Sequence, residues 1–252
     1  MTFQLKPILV SALLFMSCNT GKLTVLGSID SDLDEASAAQ LISGSNLVWT
    51  IEDAGNKNNV YGLDKKGHII KDVDISNIKN HDWEDLAADT NGNLYIGDFG
   101  NNSRKRDHFF IYKVKNLANT TDKTEAETIR FTLPDDIKSE DFEAFFLWKD
   151  HFYIFSKESK KTMVIKVPNS IGNHVATYVT EYKLKGKDTR VTSADISPDG
   201  STIVLLNHDR IWKLTDFNTD AFFSGDVESI SLNHDSQKEG VCFKDNTTIY
   251  IT

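Results

Sequence analysis

Acidic residues recur at the starts of short apolar runs: Glu84 in Trp83-Glu84-Asp85-Leu86, Glu143 in Phe142-Glu143-Ala144-Phe145 and Glu239 in Lys238-Glu239-Gly240-Val241. Asp195 sits one place later in its run, level with Asp85. Carboxylates gathered at one mouth repel each other unless a cation lies among them, and hard oxygen ligands suit Ca²⁺. Glu84, Asp85, Glu143, Asp195 and Glu239 are therefore the candidate metal ligands. The same column also fits hydrogen bonding between neighbouring strand starts. A second set follows the next apolar runs. Asp53 and Asp98 stand in Asp-Ala-Gly-Asn and Asp-Phe-Gly-Asn, and Asn101, Arg104 and Arg106 come close behind Asp98. These five are the candidate ligand-binding residues, the carboxylates for a cation and the guanidiniums for a phosphate. Each Asp also suits an Asx-type turn, and the basic loop suits a solvated surface.

Other chemistries lack their residues. The chain contains no G-x-S-x-G elbow, H-E-x-x-H helix, phosphate-binding glycine loop or C-x-x-C pair, so serine hydrolase, zinc protease and nucleotide-binding readings have no support. The formal net charge is −9 and no basic stripe is visible, which disfavours nucleic acid.

The elements that must position these residues are strands. Runs rich in Val, Ile, Tyr, Phe and Thr alternate with Gly, Asn, Asp and Lys turns, and no segment sustains an apolar helical period; the fold class is all-β. Asp89-Thr90-Asn91-Gly92 and Ser197-Pro198-Asp199-Gly200 are hairpin turns. Units of four strands start near Glu35, Glu84, Glu143, Asp195 and Glu239. A four-stranded unit repeating at roughly 40 to 50 residues is the signature of a β-propeller blade. Five blades are expected, and a sixth would need residues not present. The fifth unit stops at Ile249-Tyr250-Ile251-Thr252. Either the chain is truncated there or residues Lys22 to Gly27 close the ring as a strand.

Residues 1–17 read as a cleaved signal peptide: Lys6, an apolar run from Ile8 to Met16, then Ser17-Cys18. Cys18 resembles the lipid-attachment cysteine of a bacterial lipobox, so residues 18–32 form a lipidated N-terminus and 33–252 the propeller. The expected location is the bacterial cell envelope, with membrane attachment through the lipid alone, no nucleic-acid partner and a monomeric state. Cys242 would then be the one remaining cysteine, a buried strand residue with no partner for a disulfide.

His81-Asp82-Trp83-Glu84-Asp85-Leu86-Ala87 followed by Leu94-Tyr95-Ile96-Gly97-Asp98-Phe99-Gly100-Asn101-Asn102 resembles bacterial secreted propellers of the TolB-like or phytase-like kind. That resemblance covers most of residues 33–252 and implies a propeller, with a phosphate-ester reaction attached to some relatives. Two functions are in play: a propeller that binds a ligand, cation or envelope protein at its channel mouth, and a metal-dependent phosphoesterase.

Overall fold

The computed structural model describes residues 22–252 except Asp34 and Asp235. The signal-peptide and Cys18 readings lie outside the described residues.

The first blade is an antiparallel sheet of β1 (Ala36–Leu41), β2 (Val48–Glu52), β3 (Asn59–Leu63) and β4 (Ile69–Ile75). The second comprises β5 (Trp83–Ala88), β6 (Leu94–Asp98) and β7 (Phe109–Val114); its chain then makes a short excursion as β8 (Lys123–Thr124) before returning as the outer strand β9 (Ala126–Thr132). The third runs β10 (Phe142–Trp148), β11 (His151–Ser156) and β12 (Thr162–Pro168), makes a similar excursion as β13 (Gly172–Val175), and ends with β14 (Thr177–Tyr182). The fourth is β15 (Ser193–Ile196), β16 (Ile203–Leu206), β17 (Arg210–Thr215) and β18 (Asp226–Ser231), and a two-stranded unit, β19 (Val241–Phe243) with β20 (Ile249–Ile251), follows. The expected strand pattern holds through four blades. The count of five four-stranded blades is corrected to four plus this two-stranded unit among the described residues.

Residues 22–27 form no strand. The Lys22 N–H donates to the Leu232 carbonyl (3.0 Å), and the Ser28 and Asp30 N–H groups donate to Lys66 and Gly67 in the β3–β4 turn. Those hydrogen bonds go to a loop end and a turn rather than to a strand edge, so no ladder forms. Leu23 packs against the cluster of Leu206, Val241 and Ile249.

The five inner strands β1, β5, β10, β15 and β19 pack in succession, and β19 packs on β1. There the Ala38 N–H donates to the Glu239 carbonyl (3.1 Å). A side chain at Gly240 would collide with the Ala38 backbone, so this contact requires glycine. The apolar core lies between blade faces: Trp49 and Val60 against Trp83 and Leu86, Tyr95 and Phe109 against Phe142 and Phe145, Phe146 and Phe155 against Ala194 and Trp212.

The two excursions reach backwards. β8 pairs in parallel with β4, the outer strand of the preceding blade, and β13 pairs in parallel with β9. Between β17 and β18 the chain does the same with side chains: Phe222 is buried against Phe146, Trp148 and Tyr153 of the third blade, and Lys166 of β12 pairs with Asp220 (2.7 Å).

Candidate functional site

The loops after the second strands and before the first strands meet at one end of the molecule, and the acidic residues collect there. The ladder between β5 and β6 steps from Trp83↔Asp98 to Asp85↔Gly97, leaving Glu84 as the extra residue of a β-bulge. The β10–β11 ladder steps from Phe142↔Ser156 to Ala144↔Phe155, leaving Glu143 in the equivalent place. A bulge removes a residue from regular pairing and re-aims its side chain, so the two glutamates come together. Asp82, in the bend just before β5, brings its carboxylate beside that of Glu84. Asp53, which follows β2, completes the group: one carboxylate oxygen from each of Asp53, Asp82 and Glu84 lies within 4.8 Å of the others. Gly100 makes room for them, since a methyl group there would overlap Glu84 Oε1 and crowd the Asp82 carboxylate.

No ion pair among the described residues neutralises this trio. Glu84 is buried, and burial followed by the charges of Glu143, Asp53 and Asp82 pushes its carboxyl well above the ordinary range. The side-chain hydrogen bond with Glu143 raises Glu84 further and lowers Glu143. Burial also raises Glu143, and Lys157, 2.8 Å away, pulls it back. Asp82 is pushed up to about 6, first by burial and then by Asp53. Glu239, raised by burial, stands 3.6 Å from the His208 ring and feels both Lys157 and Asp53. Carboxylates this close together repel unless they share protons or take up a cation.

Two of the five candidate metal ligands serve another purpose. Asp85 is fully buried: one oxygen accepts the Leu86 N–H (2.9 Å) and the Ser193 hydroxyl (3.0 Å), the other the Phe145 and Ala194 N–H groups (3.1 Å each). Burial pushes this carboxyl up and the four donors pull it back. Four donors fill the lone-pair directions of a carboxylate, so Asp85 joins three blades and has no oxygen to offer an ion. Asp195 repeats the pattern, accepting the Ile196 (2.8 Å) and Phe243 (2.7 Å) N–H groups.

The second candidate set also divides. Asp53 joins the trio. Asp98 is buried and held by Arg106 Nη2 (2.8 Å) and the His81 ring (3.3 Å). Asn101 spends its whole amide on loop backbone and side chain: its Nδ2 donates to Ser139 and Glu140, and its Oδ1 accepts from the Lys105 and Arg106 N–H groups. Arg104 pairs with Glu158 (2.5 Å). The arginines are thus committed to carboxylates of their own chain. Sequence reasoning missed Asp82 and Lys157; the signal for Asp82 was its spacing of two from Glu84.

Radial four-stranded sheets around a ring of inner strands define the class, a β-propeller. The chain belongs to the SdiA-regulated family, whose match covers residues 29–252, and the β-propeller that the sequence resemblance implied is the fold found. The comparison with curated proteins returns no match. Among solved structures, a Xanthomonas campestris gluconolactonase is similar at TM-score 0.50 and 8% identity, over 86% of this chain and 68% of that chain. Kuenenia stuttgartiensis hydrazine synthase is similar at TM-score 0.47 and 15% identity, over 88% of this chain. The chain spans only 56% of that protein's length. A Desulfotomaculum acetoxidans protein of unknown function is similar at TM-score 0.42 and 13% identity, over 77% and 55%. Identities this low speak to fold alone.

Proposed function

We propose that this propeller is a cell-envelope protein, lipid-anchored through Cys18, that binds a divalent cation of the Ca²⁺ class at its channel mouth and uses that mouth to hold a ligand. The observation that carries the reading is the trio Asp53, Asp82 and Glu84, three carboxylates within 4.8 Å with no ion-pair partner among the described residues. Oxygen-only ligands select hard cations. Glu143, hydrogen-bonded to Glu84 and paired with Lys157, is the reserve ligand, and a cation entering the trio would displace the Glu84 proton.

Thermal melts in EDTA and in millimolar Ca²⁺, Mg²⁺ or Mn²⁺ test it. A cation that binds only the folded chain adds about 2.7 kcal/mol at a hundredfold excess over its Kd, and Asp82→Asn with Glu84→Gln should erase the gain. Identical melts in every condition, with no heat of binding by calorimetry, would overturn the reading. Acylated Cys18 at the mature N-terminus is the mass-spectrometric expectation for the anchor; a mature chain beginning elsewhere removes the lipid from the account.

A second reading, hydrolysis of an ester or lactone at the same mouth, is favoured by the Glu84–Glu143 pair, where Glu84, raised well above the ordinary range, lies beside Glu143, pushed up to about 7. That arrangement supplies an acid and a base side by side. Turnover of phosphomonoesters, carboxylate esters or lactones that requires cation and disappears in Glu143→Gln would favour it over binding alone. Arg104 and Arg106 are already paired, so a phosphate group would need other donors.

A further inference from the structure

A cleft of about 760 Å³ opens at the same end of the molecule, lined by Lys187, Asp188 and Arg190 before β15, His208 and Asp209 after β16, and His234 before β19. Glu239 borders it, its Oε1 3.6 Å from His208 Nδ1. Asp188 is bridged by Arg190 through two hydrogen bonds (3.0 and 2.7 Å), and Asp209 by Arg210 (2.5 Å), so both carboxylates are matched within the protein. Lys187 has no ion-pair partner among the described residues. His208 Nδ1 accepts the Lys238 N–H (3.2 Å) and His234 Nδ1 accepts the Ser236 N–H (3.4 Å). With Nδ1 accepting, each neutral ring carries its proton on Nε2.

The loops that bear the two histidines are held together by one buried ammonium. Lys238 Nζ donates to the carbonyls of His208 (2.7 Å), His234 (2.9 Å) and Ser236 (2.8 Å). Three carbonyls around one ammonium fix the cleft wall before any ligand arrives, which lowers the ordering cost of binding.

We propose that this cleft binds a small organic anion through a carboxylate or phosphate group, with the Lys187 ammonium and the Nε2–H groups of His208 and His234 as donors. It does not require a cation in the acidic trio, but the two sites share one end of the molecule. Neutralising the acids next door would strengthen anion binding through the field they share.

Calorimetric titration with inorganic phosphate and with citrate at neutral pH, in buffer stripped of divalent cations on a chelating resin, tests the cleft without the cation, and imidazole NMR signals report on the two rings. The expected result is saturable binding of at least one anion, perturbed His208 and His234 signals, and affinity reduced about tenfold or more by Lys187→Ala or by His208→Gln. Lys105→Ala, a cation of another loop, should bind as the native chain does. Preference for phosphate or for citrate names the class. Absence of saturable binding by both anions, or binding that survives Lys187→Ala combined with His208→Gln and His234→Gln in folded protein, overturns the proposal. Failure of the cation melts alone leaves it standing.

Discussion

Gly100 has no side chain because two carboxylates fill the space one would take. In Gly100→Ala the added methyl meets the tips of Glu84 and Asp82, which can swing away more cheaply than backbone can move, so the acids should separate while the fold persists. Melts with and without Ca²⁺ should then coincide, with an unchanged far-ultraviolet circular dichroism spectrum. A preserved Ca²⁺ response would show that the spacing of the trio is not what binds. The same residues set a pH dependence. Asp82, pushed up to about 6, and Glu84, raised by burial well above the ordinary carboxylate range, keep protons in the folded chain that the unfolded chain releases above about pH 4. The unfolded chain binds fewer protons across that window, so stability in EDTA falls as pH rises from about 4 through 6 and beyond. Urea midpoints should be lower at pH 7.5 than at pH 5, and Asp82→Asn with Glu84→Gln should lessen the difference, leaving the part due to Glu143 and Asp195, both pushed up to about 7. A midpoint that rises with pH equally in native and variant protein would refute the assignment. At this scale the sequence was half legible. Glu84 and Glu143 form a visible column. Neighbouring Asp85 faces the opposite way in an extended chain, into a set of donors contributed by residues 145, 193 and 194 that no local pattern announces.

At the scale of the strands, alternation of apolar residues located nearly every blade element, because each sheet buries its faces against its neighbours. β8 and β13 escaped that reading. They are two and four residues long, and the edge they pair with orders them more than any alternation of their own. The backward-reaching connections are what those edges gain. Phe222 offers the sharpest test, being fully buried with its ring 4.7 Å from that of Tyr153, edge to face. Phe222→Ala should lower unfolding free energy by about 3–5 kcal/mol, measured by urea titration, whereas Ile171→Ser, at an exposed position, should change it little. Equal losses would mean that the connection packs without holding the blades together.

Across the whole molecule, a single carboxylate ties three of the five inner strands. Asp85 belongs to β5 and takes donors from β10 and β15, and Asp195 carries the tie on from β15 to β19. Replacing Asp85 with Asn places an NH₂ group against N–H donors and leaves buried groups unpaired, each at a cost of about 1–3 kcal/mol. The expected outcome for Asp85→Asn is a destabilised fold whose Phe145 and Ala194 amides exchange faster than in the native chain. Protection unchanged at both amides would show that the inner strands hold without the tie.

The backward reach of β8 and β13 also puts an order on how the molecule is made. The outer edge of the first blade, at β4, lacks its parallel partner until residue 123 has left the ribosome, and the edge at β9 waits for residue 172. Translation at about 5–20 residues per second makes each wait a matter of seconds. Through that interval the nascent chain shows an unpaired strand edge, the kind of surface that recruits other strands. The second blade covers the edge left by the first and the third blade that left by the second, so the hazard moves along the chain as synthesis proceeds.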